Sequence, residues 1–156
     1  MLHIFNAPRE YPSVYLPYYD QFNFYDGRDV WLKSISGIPQ KAVHLFCIHW
    51  LHLEVYNGGF WQYFYNSTGV SASEARDGFL AIGMREVASI VESAMAELGE
   101  PFPFDKRARE SIVGPPDDRI DFGELDDAFY ALADTDQFFR KLPKFVPYAD
   151  AYAKSN

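Results

Sequence analysis

Apolar and polar positions alternate along this chain with helical periods, most densely in its middle. From residue 40 to 56 apolar side chains surround the axis: Val43, Leu45, Phe46, Ile48, Trp50, Leu51, Leu53 and Val55. A helix with so little polar face belongs at the buried centre of a domain; its β-branched residues leave a buried strand pair as the alternative. Pro39 ahead of it has the fixed φ of a first helical residue. Asn57-Gly58-Gly59 stops this helix, because glycine adopts the left-handed conformation of a C-terminal cap. An Asn-Gly pair also suits a hairpin turn. The residues beyond it favour a second helix: Phe60, Tyr63 and Phe64 stand at i, i+3, i+4, while Trp61/Tyr65 and Gln62/Asn66 are i, i+4 pairs. The pattern therefore predicts a Gly-Gly turn into a short aromatic helix over residues 59–66.

Elsewhere the signals are more ordinary. Pro8, Pro12 and Pro17 make residues 1–17 an irregular leader, strapped to the body by Phe5, Tyr11 and Tyr15. A helix is predicted over 18–34, interrupted in pattern by Gly27. Ser71 and Glu74 have capping-box spacing and open a long helix to about residue 98, with Phe79, Ile82, Val87, Ile90, Val91, Ala94 and Leu98 inside. Gly78 and Gly83 within it mark close packing or a bend. Asp105 caps a short helix ending before Gly114. A further helix begins at Asp121, with Phe122, Leu125, Phe129 and Leu132 as its buried stripe. Residues 137–156 are broken by Pro143 and Pro147, with a last turn around Tyr148, Ala151 and Tyr152. With no repeat or linker, the expectation is one all-α domain over residues 1–156.

Composition agrees. The 156 residues are 48% hydrophobic, with 14 Phe, 11 Tyr and 3 Trp, enough apolar area to offset the entropy of ordering a domain. The formal net charge of −8 repels phosphate, which argues against direct nucleic-acid binding and suits a basic protein partner or simple solubility. Cys47, the single cysteine, lies in an apolar run and reads as a buried inert thiol. No run approaches the ~18 apolar residues of a membrane span, and the first residues lack the pattern of a signal peptide. No membrane association and a cytoplasmic location are expected.

Candidate chemistry is sparse. His44, His49 and His52 fall within roughly 140° on a helix, but no Glu-x-x-His or His-Glu-x-x-His spacing accompanies them. They equally suit the less apolar side of a core helix, and no metal or cofactor is expected. Nucleophile elbows and phosphate loops are missing, so no catalytic residue is assigned.

Charge is distributed unevenly. Residues 117–136 carry eight acids, Asp117, Asp118, Asp121, Glu124, Asp126, Asp127, Asp134 and Asp136, against Arg119 alone, a net of −7 in a chain of −8. On the predicted helix Glu124, Asp127 and Asp134 lie opposite the apolar stripe, with axial offsets of about 4.5 and 10.5 Å. Such a row can present to a basic surface what a phosphate backbone presents. A solvated helix face is the other reading.

Asn57-Gly58-Gly59-Phe60-Trp61-Gln62-Tyr63-Phe64-Tyr65-Asn66 resembles the Asn-Gly-Gly-Phe-x-Gln-aromatic-Phe-x-Asn signature of a bacterial DNA-mimic-protein family. The resemblance implies an all-helical fold and, for members with a function, occupation of a DNA-binding protein by imitation of duplex charge. The matched positions Asn57, Gly58, Gly59, Phe60, Gln62, Phe64 and Asn66 are not acidic, so phosphate substitutes must lie elsewhere, and the eight acids are the candidates. The expectation is an interaction module, more a binder than an enzyme, whose partner is a basic, DNA-binding regulator. A small-molecule or enzymatic pocket rimmed by Tyr56, Trp61 and Tyr65 stays open as an alternative. So do an inhibitor or immunity-type role and a homodimer.

Overall fold

The computed structural model describes residues 9–134 and 142–156. Among them the backbone forms α1 (Pro12–Tyr15), α2 (Arg28–Ile35), α3 (Gln40–Tyr65), α4 (Ala72–Ala81), α5 (Arg85–Ala96), α6 (Lys106–Val113), α7 (Gly123–Ala133) and α8 (Val146–Lys154). Two 3-10 turns, Leu16–Gln21 and Ser67–Ser71, join them, and these residues include no strand. The all-α class is as expected. No helix among the described residues is long and apolar enough to cross a membrane.

The other elements are arranged around α3. Its residues Leu45, Ile48, Leu51 and Val55 are wholly buried, each aliphatic side chain contributing about 1.5–3 kcal/mol relative to exposure. Helices α1, α4, α6, α7 and α8 all pack on it. Gly78 of α4 permits a close approach: a Cβ there would lie 2.7 Å from Ile48 Cγ2 and 2.9 Å from the His44 carbonyl oxygen. Phe46 stacks on Phe22 with ring centroids 3.6 Å apart, and Phe24 stacks between Phe46 and Trp31.

The Gly-Gly turn is where the pattern places it. Helix α3 bends at Gly58 (φ −152°, ψ 22°) and Gly59 (φ 70°, ψ −177°), and residues 60–65 continue as the aromatic helix. Phe60, Tyr63 and Phe64 are fully buried. Helix α7 secures both sides of the bend. Asp126 Oδ1 accepts the Phe60 amide at 2.8 Å, and the Tyr130 hydroxyl donates to the Val55 carbonyl at 2.6 Å. At the far end of the aromatic helix the wholly buried Arg109 donates to the carbonyls of Phe64 (2.9 Å), Asn66 (3.0 Å) and Phe104. An anion at the amide end and a cation at the carbonyl end both oppose the helix dipole favourably.

Several boundaries differ from the periodicity. The expected helix over 18–34 is a 3-10 turn, a break and then α2, because Gly27 takes φ 94° immediately before Arg28. The long helix after Ser71 is two, α4 and α5, separated where Gly83 takes φ 87°. The Ser71–Glu74 capping box does not form. Ser71 bonds the Thr68 carbonyl and the Tyr63 hydroxyl, while Glu74 accepts from Arg28 and the Trp31 indole. Pro39 is the residue before the helix rather than its first member. Leu132, expected inside, is 36% exposed, and the last turn is a full helix, α8, in which Val146 and Ala149 are buried. Asp105 does cap α6, accepting the Ala108 amide at 2.9 Å.

The described part of the leader is a strap. Tyr11 and Tyr15 are buried; the Glu10 and Tyr11 amides donate to Asp150 of α8, and Tyr11 Oη lies 2.7 Å from His49 Nδ1. Phe5 lies outside the described residues. Burial lowers the His49 pKa from 6.5 to about 4, with His52 and Arg9 adding to the shift. The folded ring is thus neutral where the unfolded ring takes up a proton. The stability it contributes is complete above pH 6.5 and is lost as the pH falls toward 4.

Two outcomes are expected for the fold. Gly59→Ala places a Cβ 2.4 Å from Asp126 Oδ2 at a positive φ and lowers unfolding stability by about 2 kcal/mol or more. Gly37→Ala, with nothing within 4 Å and no positive φ, stays within about 0.5 kcal/mol; urea unfolding of both variants checks the contrast. For the strap, His49→Gln reduces the stability lost between pH 6.5 and 4 by roughly 3 kcal/mol, read from denaturant unfolding across that range.

Candidate functional site

The acids of residues 117–136 fall into distinct environments. Asp117 and Asp118 lie in the turn after α6, Asp121 just before α7, and Glu124 and Asp127 on its outer side; all five are exposed. None of the five forms an ion pair among the described residues. Arg119, the single base of the segment, lies over the Trp61 ring at 4.7 Å and forms no ion pair among the described residues. The Trp61 indole in turn donates to the Gly114 carbonyl at 2.8 Å, so the aromatic helix carries the base of the acidic turn. Gly114 has φ 79°, and a Cβ there would lie 2.2 Å from the Asp118 carbonyl oxygen; only glycine lets this turn close. Asp121 Oδ1 also accepts the Gly123 amide at 2.7 Å, which starts α7.

Two acids face inward. Asp126 caps the Phe60 amide. Burial raises its pKa, the Phe60 amide opposes the rise, and the nearby carboxylates of Asp121 and Asp127 add to it. Asp134, 3% exposed, lies 3.0 Å from His52 Nε2. Asp136 lies outside the described residues.

Asn57, Gln62 and Asn66 form a polar hub on a different face of the aromatic helix. Gln62 Nε2 and Asn66 Nδ2 donate to Glu54 Oε2 at 2.6 and 3.0 Å, and Thr68 Oγ1 donates to Glu54 Oε1 at 2.8 Å. Asn57 Nδ2 donates to Gln62 Oε1 at 2.9 Å. Gly58 is required because a Cβ would meet that same Gln62 oxygen at 2.3 Å. The amides of Gln62 and Asn66 thus serve a carboxylate. Glu54 itself carries no signal in local spacing; its pairing with Gln62 and Asn66, eight and twelve residues on, is what sequence reasoning missed. Beside the hub is a cleft of about 350 Å³ lined by Phe24, Tyr25, Trp50, Glu54, Asn66 and Lys106, among others. The rim foreseen from Tyr56, Trp61 and Tyr65 is not this cleft: Trp61 and Tyr65 stack on each other, 4.9 Å between centroids, and Tyr56 stacks on His52.

The three histidines go to separate partners: His44 to the Tyr152 hydroxyl (3.0 Å), His49 to Tyr11 and His52 to Asp134. No group of three or more His, Cys, Asp or Glu among the described residues is arranged to hold a metal ion. Cys47 is fully buried, and burial raises its thiol pKa well above the usual value.

No curated protein and no solved structure matches the chain. A family match does exist, to the family described as DMP19-like protein, over residues 36–156. It runs from the turn before α3 through the Gly-Gly bend, the Glu54 hub and the whole acidic segment. The chain belongs to the DMP19-like protein family, a family of DNA-mimic type.

Proposed function

We propose that this chain is an acidic interaction module that occupies the basic, DNA-contacting surface of a DNA-binding regulator. The observation that carries the reading is the set of five exposed carboxylates, Asp117, Asp118, Asp121, Glu124 and Asp127, with no ion pair among the described residues. A solvated face kept only for solubility has no need of a preorganised turn. Here Gly114, the Trp61–Gly114 bond and α7 hold the acids on rigid backbone, so little ordering entropy opposes binding. Membership in a family of DNA-mimic type supports the same reading. The partner supplies Lys and Arg in the positions that contact phosphate, and duplex DNA competes with this chain for it.

Asp126 and Asp134 have structural partners, and the proposed contact set rests on the five outward acids. The test is capture of a DNA-binding protein on the immobilised chain, followed by a binding titration with the purified partner. Duplex DNA displaces the chain, and affinity falls as salt rises. The variant Asp118→Asn/Asp121→Asn/Glu124→Gln/Asp127→Asn, which neutralises four of the five acids, loses roughly tenfold or more in affinity at low salt and less at high salt, with its unfolding midpoint little changed. Salt-insensitive binding, or full affinity in that variant, refutes the proposal. Asp126→Ala behaves oppositely: it removes the Phe60 cap and lowers stability by about 1 kcal/mol, while partner affinity of the folded fraction is retained in the same titration.

A further inference from the structure

The cleft beside the signature hub has an unbalanced charge that the acidic face does not explain. Glu54 is partly buried and its carboxylate accepts three hydrogen bonds, all from neutral donors, Gln62, Asn66 and Thr68. A carboxylate offers about four acceptor positions. Two donors sit on Oε2 and one on Oε1, which leaves one position, on Oε1. No cation pairs with Glu54 among the described residues. Lys106 lines the same cleft, yet its ammonium is already paired with Glu110 and lies over the Tyr65 ring at 5.8 Å. The unmatched charge of the cleft is therefore negative.

Its walls are aromatic. Phe24, Tyr25 and Trp50 line the cleft, with Phe24 and Tyr25 at an interplanar angle of 84° and Phe24 and Trp50 at 80°. Tyr25 is 77% exposed and stands edge-on to Phe24, so its ring offers the cleft a solvent-facing wall. Aromatic faces around a carboxylate attract a planar or compact cation through the ring quadrupole while the carboxylate takes its N–H donors.

We propose that this cleft binds a guanidinium cation, with Glu54 Oε1 accepting one of its N–H groups and Tyr25 and Trp50 packing against its plane. The cation comes either from a free guanidino compound or from an arginine side chain of a bound protein, and the two sources share this chemistry. The cleft shares no lining residue with the acidic turn, so the proposal does not depend on charge mimicry.

The test is a titration of the full chain by heteronuclear NMR. Its reporters are the Trp50 indole N–H, which has no hydrogen-bond partner among the described residues, and the Asn66 side-chain amide. Agmatine and the tripeptide Gly-Arg-Gly serve as guanidinium probes, and Gly-citrulline-Gly, with a neutral urea of the same shape, serves as control. Saturable shifts with the guanidinium probes and none with citrulline are expected. Agmatine binding as tightly as the tripeptide favours a free compound; tighter binding of the tripeptide favours an arginine side chain. Glu54→Gln weakens binding at least roughly tenfold. Because that variant also disturbs the hub, Tyr25→Ala is the second arm: it removes one wall without removing an internal hydrogen bond and weakens binding roughly threefold. Equal shifts with citrulline, shifts that never saturate, or unchanged affinity in Tyr25→Ala overturns the assignment. The variant neutralised at 118, 121, 124 and 127 still shows saturable shifts, which separates this result from failure or success of the acidic-face proposal.

Discussion

A helix interrupted in the middle of a core must find partners for the backbone groups that the interruption releases, and this fold is arranged around that requirement. At Gly58 and Gly59 the backbone leaves helical geometry. Buried amides and carbonyls left unpaired there would each cost about 1–3 kcal/mol. Helix α7 answers on both sides with residues one helical turn apart, Asp126 to the Phe60 amide and Tyr130 to the Val55 carbonyl. Arg109 of α6 answers at the end of the aromatic helix. Removing the bend would thus remove the reason for α6 and α7 to sit where they do.

The outward direction of the exposed acids follows from the same arrangement. Because Asp126 must face inward at Phe60, Glu124 and Asp127 on neighbouring positions of α7 are turned outward, and the turn that feeds α7 is anchored by Trp61 of the aromatic helix. The crowding has a cost: Asp121 and Asp127 both push the Asp126 pKa upward, in the same direction as its burial. An Asn at 126 could accept the Phe60 amide without that repulsion. Carboxylates are therefore held close together against their mutual repulsion.

How much of this was legible in the sequence depends on range. The Gly-Gly turn, the aromatic stripes and the Asp105 cap were readable because each is decided within four residues. The end of the first predicted helix at Gly27 and the split at Gly83 were not, since a glycine in a helical pattern is tolerated until tertiary packing selects a positive φ. The Ser71–Glu74 box had the right spacing and failed because Arg28 and Trp31, more than forty residues earlier, claim the Glu74 carboxylate. Glu54 went unassigned for the same reason: its donors lie eight, twelve and fourteen residues away across a bend. At the acidic segment, composition located the charge, but only packing distinguished Asp126 and Asp134 from the five acids that face water.

Signature and charge thus differ in how tightly the fold constrains them. Gly58, Gly59, Phe60, Gln62, Phe64 and Asn66 each touch something that a substitution would disturb: a Gln62 oxygen, an Asp126 carboxylate, the core, or the Glu54 hub. Asp117, Asp118, Glu124 and Asp127 make no side-chain hydrogen bond or ion pair among the described residues, and surface substitutions of that kind change stability by less than about 0.5 kcal/mol. The fold can therefore be kept while the charged face is rewritten. The residues that hold the bend and the hub are thus the constrained set, and the outward acids are the free one. A change of the outward acids therefore leaves the platform of bend, α6 and α7 in place.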